Sequence, residues 1–360
     1  MDEMLIPPNA KRGRESESES ENEENKDRLS DLPDCVLLHI LSFVNAKYAV
    51  QTCTLSTRWK DLWKRLPSLI LHSSDFSTFK GFTKFVSTIL TLRDGSIALH
   101  GLDLKRLGRI QPCLFKRIIK YVISHNVQQL GLCVNCDIEH FPTDVFSCET
   151  LTYLKLSVHF REVKTLLLQS FNLPALTTLH LEHFTICANG NDLAEPFSTF
   201  IRLNSLIIHD CSIIGSHILC ISSTTLCNLT VHNDPVDVYK IELSSPCLRT
   251  FTFTGTVCET LSGRNLSSIE HVNLDILRAS KPDAVLNWLE ELTNIKSLTI
   301  SISTLKVLSL THVLKLKVPP ILSSLKSVKV KLRGEKSVLD VDFFLQNSPS
   351  AKIDFIRCSG

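Results

Sequence analysis

From Leu66 onward the chain repeats one arrangement of apolar and polar positions, apolar-x-x-apolar-x-apolar. It reads LPSLIL, LHGLDL, VQQLGL, LTYLKL, LTTLHL, LNSLII, LCNLTV, LRTFTF, IEHVNL, IKSLTI and LKSVKV, beginning at residues 66, 99, 127, 151, 176, 203, 226, 248, 269, 295 and 325. One such match arises by chance in many windows of this composition, but eleven in near-register mark a repeated unit, mostly within the roughly 20–29 residue range of short solenoid repeats. Positions four and six of each match face one way in an extended chain and positions three, five and seven face the other, while position one, just before the strand, turns its apolar side chain to the same side as four and six. A strand whose apolar side is covered by the next copy of itself predicts a stacked, curved parallel sheet. Two return segments carry helical spacing, Cys113 to His125 and Pro282 to Leu292.

Residues 28 to 66 follow a different period. Asp31 predicts a cap for a helix with Pro33 and Asp34 in its first turn, running to about Val44. Its apolar residues Val36, Leu37, Leu38, Ile40, Leu41, Phe43 and Val44 leave only Asp34, His39 and Ser42 clearly polar, too few for one buried stripe. A short second helix places Ala46, Ala49, Val50 and Cys53, and a third, opening at Ser56 or Thr57, places Trp59, Leu62, Trp63 and Leu66 on one face. A unit of about 40 residues rarely closes its own core. The first helix is therefore expected to bury part of its surface against another protein.

Composition adds boundaries. The 360 residues are 43% hydrophobic with a formal net charge of +2, which gives no reason to expect nucleic acid or a membrane as partner. The amino terminus lacks the basic start and apolar core of a secretory signal, and the thirteen cysteines are scattered and odd in number, so an intracellular, reduced protein of the nucleus and/or cytoplasm is expected. Asn228-Leu229-Thr230 and Asn265-Leu266-Ser267 would then never meet glycosylation machinery. Residues 1–27, with Glu15, Glu17, Glu19, Glu21, Glu23 and Glu24, read as a disordered acidic tail. Lys11, Arg12 and Arg14 fit a nuclear import signal or a merely solubilising cluster, and Ser16, Ser18 and Ser20 have the acidic context of phosphorylation sites.

Enzymatic motifs are missing from the sequence: no Gly-x-Gly, no phosphate loop, no His-Glu-x-x-His and no Gly-x-Ser-x-Gly. Cys133 and Cys136 have a metal-like spacing, with His140 and Cys148 nearby, but thiols at a repeat strand are ordinary filling. No cofactor or metal is expected. His180, His209 and His232 fall at outward strand positions and are expected on the concave face. The candidate target-binding residues are Tyr153, Lys155, His180, Glu182, His209, His232, Asn273 and Asp275, a mixture suited to a protein ligand rather than a polyanion.

The run DRLSDLPDCVLLHILSFVNAKYAVQTCTLSTRWKDLW resembles the F-box of plant F-box proteins, in Leu32-Pro33, the Ile/Leu-rich helix, Ala49-Val50, Leu55-Ser56, Arg58-Trp59 and Leu62-Trp63. The repeats resemble leucine-rich repeats, with Asn135 and Cys211 in the Asn/Cys slot but His159, Phe184, Asp234 and Thr256 there in others, so irregular turns are expected. Pro319-Pro320, Ser323-Ser324-Leu325-Lys326 and Phe344-Leu345-Gln346-Asn347-Ser348 resemble the FBD region that closes many such proteins, read as a last strand plus helix. Lys329, Lys331 and Arg333 are expected to guard the exposed sheet edge.

These resemblances imply an α/β chain, a small three-helix F-box (28–66) followed by a leucine-rich-repeat solenoid (67–317) with an irregular or helical back face, and an FBD-like cap (318–360). They imply docking on a Skp-type adaptor, and through it a cullin-RING ubiquitin ligase, by Leu32, Pro33, Val36, Leu37, Ile40, Leu41, Trp59, Leu62 and Trp63. Where the family often has proline this chain has Asn45, which predicts a looser turn after the first helix. The repeats would hold an unknown target protein, so the implied function is a non-enzymatic substrate adaptor. Two other readings are a repeat scaffold acting outside a ligase, and an enzyme whose site is assembled from unrelated loops.

Overall fold

Eleven apolar triplets need eleven neighbours to bury against, and the chain supplies them by stacking. The computed structural model describes residues 29, 31–136, 141–160, 171–187, 194–233, 240–257, 261–264, 266–279, 281, 283–292, 294–313, 322–332, 348 and 350–357. The acidic tail, His140, Asp234, Asn265, Pro319-Pro320, Arg333 and Phe344 to Asn347 lie outside them, as does the helix expected in the carboxy-terminal region.

Helices α1 (Asp34–Ser42) and α2 (Ala46–Gln51) precede the first repeat strand. The strands in chain order are β1 (Ser68–His72), β2 (Gly101–Arg109), β3 (Gln129–Cys136), β4 (Tyr153–Phe160), β5 (Thr178–Glu182), β6 (Thr185–Cys187), β7 (Ser205–His209), β8 (Ser212–Ile214) and β9 (Ile218–Ser222). They continue as β10 (Asn228–His232), β11 (Lys240–Ser244), β12 (Thr250–Val257), β13 (Leu261–Arg264), β14 (His271–Ala279), β15 (Ser297–Ser301), β16 (Ser327–Leu332) and β17 (Lys352–Arg357). Twelve of them form one parallel sheet in the order β1-β2-β3-β4-β5-β7-β10-β12-β14-β15-β16-β17.

Position three of each repeat pairs with position three of the next: Gln129 with Tyr153, Tyr153 with Thr178, Thr178 with Ser205, Ser205 with Asn228. All three apolar positions of all eleven repeats are at most 2% exposed. Each such side chain contributes about 1.5–3 kcal/mol on burial, and each is covered by its neighbour's equivalent, so the sheet is stable only as a stack. The sequence pattern missed the twelfth strand, β17, because its position one is Ser350.

Among the described residues, the segments between the strands of the large sheet form four helices and two small sheets. Helices α4 (Pro112–Ser124) and α5 (Ala284–Glu291) occupy the two segments expected to be helical. Helix α3 (Phe79–Leu92), capped by Thr78 Oγ1 accepting from Gly81 N at 3.1 Å, and α6 (Ile302–Val313) were not expected. In the central repeats the return path is extended, pairing β6 with β8 and β11 with both β9 and β13.

The turns after the strands are irregular in a specific way. Position eight takes a left-handed conformation at His183, Asp210 and Gly255, with φ of 53°, 47° and 133°. In the repeat between those of Asp210 and Gly255 it is Asn233 that binds the backbone, its Oδ1 accepting from Thr256 N at 3.0 Å and its Nδ2 donating to Thr256 O at 3.3 Å. The bonding asparagine thus sits one residue ahead of the expected slot.

The amino-terminal unit departs from expectation in three places. Pro33, not Asp31, occupies the cap of α1, and Asp34 instead pairs with Arg58 (Nη2 to Oδ1 2.9 Å) and Arg65 (Nη1 to Oδ2 3.3 Å). The third helix is a series of turns followed by a single 3₁₀ turn, Leu62–Arg65, although Trp59, Leu62, Trp63 and Leu66 are all buried as its apolar spacing requires. Asn45 tightens the turn it was expected to loosen: Oδ1 accepts from Lys47 N at 3.0 Å and Nδ2 donates to Asp75 Oδ2 at 2.6 Å.

Candidate functional site

Two surfaces carry the residues singled out by the sequence. On α1, Leu37 and Leu41 point inward with Trp59, Leu62 and Trp63, forming the small core and supporting the outer face. Pro33, Val36 and Ile40 are exposed on that face and Leu32 is half-buried. Phe43, 71% exposed, follows Val36 and Ile40 at helical spacing, and Tyr48 and Leu55 are exposed elsewhere on the unit. Phe43 was visible in the sequence as one apolar residue too many for a single stripe. Burial thus divides the nine residues expected to form or support the docking surface into an outward group and a buried group. The Arg58 guanidinium also donates to Leu32 O, which ties the chain entering α1 to the segment carrying Trp59.

The second surface is the concave face of the large sheet. Near its amino-terminal end an open cavity of about 490 Å³ is lined by β1 to β4 and, at one side, by Ser42 and Phe43. Its floor is low because Gly101 and Gly131 stand at positions three and five; a Cβ at Gly131 would lie 2.5 Å from Asp103 Oδ1. Tyr153 and Lys155 line the cavity.

Beyond it the outward side chains pair along the sheet. Lys155 Nζ lies 3.3 Å from Glu182 Oε2. Burial pushes the Glu182 carboxyl up, but Lys155 and the neighbouring imidazoles outweigh it and hold the pKa below its usual value. His180 is half-buried with Nε2 shielded and without a hydrogen bond, and burial, reinforced by Lys155, lowers its pKa. His209 and His232 stack in parallel with ring centroids 4.2 Å apart, and the carboxylate of Asp210 lies beside both. Asn273 Oδ1 accepts from Lys331 Nζ at 3.1 Å across β15.

Two expectations for this face are corrected. Asp275 is only 6% exposed, because α6 starts directly after β15 and packs on β14, where Thr304 Oγ1 donates to Leu274 O at 3.1 Å and accepts from Ile276 N at 2.8 Å. It is withdrawn from the displayed set. Lys329 and Lys331 do not stand at a sheet edge, since β17 covers β16. Cys133 lies on the concave side of β3 and Cys136 is buried, and neither is in a disulfide.

Comparison with known proteins follows this division. Residues 29–71 match the model of the F-box domain, and residues 115–328 match the model described as FBD-associated F-box protein At5g56370, LRR repeats. The chain is 30% identical to F-box/LRR-repeat protein At4g14103 of Arabidopsis thaliana over 91% of its own length and 90% of that protein's. It is 30% identical to the putative FBD-associated F-box protein At5g22720 and 27% identical to F-box/FBD/LRR-repeat protein At1g80470, both of Arabidopsis thaliana. These two alignments cover 77% and 78% of this chain but only 63% and 62% of the relatives.

Proposed function

The chain belongs to the F-box/LRR-repeat proteins, and from that premise we propose that it is the substrate-recognition adaptor of a Skp-cullin-F-box ubiquitin ligase, acting in the nucleus and/or cytoplasm. The F-box docks on a Skp-type protein and the concave face of the repeats holds the target. Ubiquitin transfer is then promoted by effective concentration, not by chemistry in this chain. The observation that carries the reading is the outer face of α1, where Val36, Ile40 and Phe43 stay exposed beside a closed core of Leu37, Leu41, Trp59 and Trp63. A large apolar face that its own domain leaves uncovered is what a docking helix requires.

The test is co-purification of the full chain with a Skp-type adaptor. Ile40→Asp and Phe43→Ala are expected to weaken binding by more than about tenfold at an unchanged melting temperature, since these side chains carry little packing. Trp59→Ala is expected instead to unfold the F-box, at about 3–5 kcal/mol. A folded wild-type chain that ignores the adaptor would leave the repeat-scaffold reading in its place.

A further inference from the structure

The cluster His209, Asp210 and His232 has a geometry that target recognition does not call for. The two imidazoles stand at position seven of the adjacent strands β7 and β10, whose Cα atoms are paired in register. Their rings are parallel within 5°. Asp210 follows His209 in the left-handed turn, and Asp210 N donates to His232 O at 2.8 Å, so the turn is pinned to the neighbouring strand. This folds the carboxylate back against the Nδ1 edges of both rings: Oδ1 lies 2.8 Å from His232 Nδ1 and Oδ2 lies 3.2 Å from His209 Nδ1. The first contact is a hydrogen bond. The second is not, and His209 Nδ1 is shielded from solvent with no hydrogen-bond partner. A polar ring nitrogen in that position costs free energy unless something satisfies it.

We propose that these three residues form a binding site for a divalent transition metal of the zinc class. Two imidazole nitrogens and one carboxylate oxygen are the donor set such ions take, in preference to magnesium or calcium. One ligand atom from each residue lies within 4.8 Å of the other two. Tetrahedral coordination at about 2.0–2.1 Å needs donors roughly 3.3 Å apart, so the site closes by rotation of the two rings about their soft terminal torsions, without backbone movement. The ligands sit on a rigid sheet, which favours a defined site over chance chelation. Three protein ligands leave at least one position open. It faces the concave surface, where water or a donor from a bound protein completes the shell. The proposal does not rest on the ligase reading, and its test uses neither adaptor nor target.

The experiment is titration of the full, tag-free chain with ZnCl2 by calorimetry and with CoCl2 by visible absorption. The wild type is expected to bind one ion saturably, with a visible d–d band for cobalt and a raised melting temperature in zinc. Asp210→Asn, which suits the left-handed turn, and His232→Gln should each weaken binding at least tenfold and abolish the zinc-dependent rise, while His271→Gln, on the exposed start of β14, retains both. No saturable binding by the wild type would overturn the proposal. So would unchanged binding by folded Asp210→Asn, or a strong near-ultraviolet thiolate band placing cobalt on the cysteines.

Discussion

The guanidinium of Arg93, 5% exposed, donates to the main-chain carbonyl of Leu66 from both Nη2 (2.9 Å) and Nε (3.2 Å). The same side chain donates to Ile97 O and Ala98 O, each at 2.9 Å. Leu66 is both the last core residue of the F-box and the first apolar position of the first repeat. One buried arginine therefore fastens the F-box to the solenoid and holds the end of α3.

Arg93→Met keeps an unbranched apolar stem and removes every donor. Several buried carbonyls lose their partners at once, at about 1–3 kcal/mol for each group left unsatisfied. We expect a loss of about 3 kcal/mol, with the F-box melting apart from the repeats in calorimetry. A single unchanged transition would show that apolar packing alone joins the two units.

A second prediction concerns the turn after β12. Gly255 has φ of 133°, and a Cβ there would lie 2.1 Å from Asn233 Oδ1 and 2.4 Å from Asn233 O. Gly255→Ala must then strain the backbone and expel the carboxamide that holds Thr256. About 3 kcal/mol is expected from the two terms, against about 2 kcal/mol for Asn233→Ala, which loses only the hydrogen bonds. Urea unfolding of both variants checks the order, and an alanine at 255 as benign as one at 233 would refute it.

What the sequence made legible follows from where its signal is periodic. The triplets predict the strands because every apolar position must be covered by the neighbouring repeat, and the α4 and α5 segments carry a helical period strong enough to read. The back strands β6 and β8, three residues each, are too short to impose an alternation. Trp59, Leu62, Trp63 and Leu66 have helical spacing, yet a series of turns and one 3₁₀ turn bury them equally well, so spacing fixed their burial and not their backbone. On the concave face, outward register was legible for His180, His209 and His232. The burial of Asp275 depends on α6, whose segment carries no helical period that would announce it. The cavity beside Tyr153 depends on two glycines whose meaning appears only once their strands are adjacent.

Acidification should loosen the centre of the solenoid. Burial first, then Lys155, lowers the His180 pKa below its ordinary 6.5, with Glu182 opposing. The unfolded chain then binds a proton at a pH where folded His180 does not. Stability from this residue is present above pH 6.5 and is lost as pH falls through the folded pKa. Glu182, lowered from 4.5, acts in the same direction below that value. Chemical denaturation between pH 7.5 and 5 should show stability falling in the wild type and a flatter profile in His180→Gln. Identical slopes would remove His180 from the account.

The last prediction concerns where the target is held. Tyr153 and Lys155 border the cavity that Phe43 also lines, and His180 stands beside Lys155 on the next strand, their Cα atoms paired across β4 and β5. An aromatic ring, an ammonium paired to Glu182 and a half-buried imidazole lie on neighbouring rungs about 4.8 Å apart. That spacing suits the side chains of one bound helix or loop, and a tyrosine at the edge of a cavity is a favoured anchor. Tyr153→Ala combined with His180→Ala is expected to weaken target capture by more than about tenfold while adaptor binding and melting temperature stay unchanged, because neither side chain packs in the core and His180 Nε2 makes no hydrogen bond that its loss would break. The measurement is recovery of ubiquitinated or proteasome-protected partners by the full chain, wild type against variant, with the adaptor co-purified in both as an internal standard. Equal recovery would move the target to the loops at the rim of the sheet or to the carboxy-terminal strands. There β17 exposes Phe355 and offers an unpaired edge among the described residues.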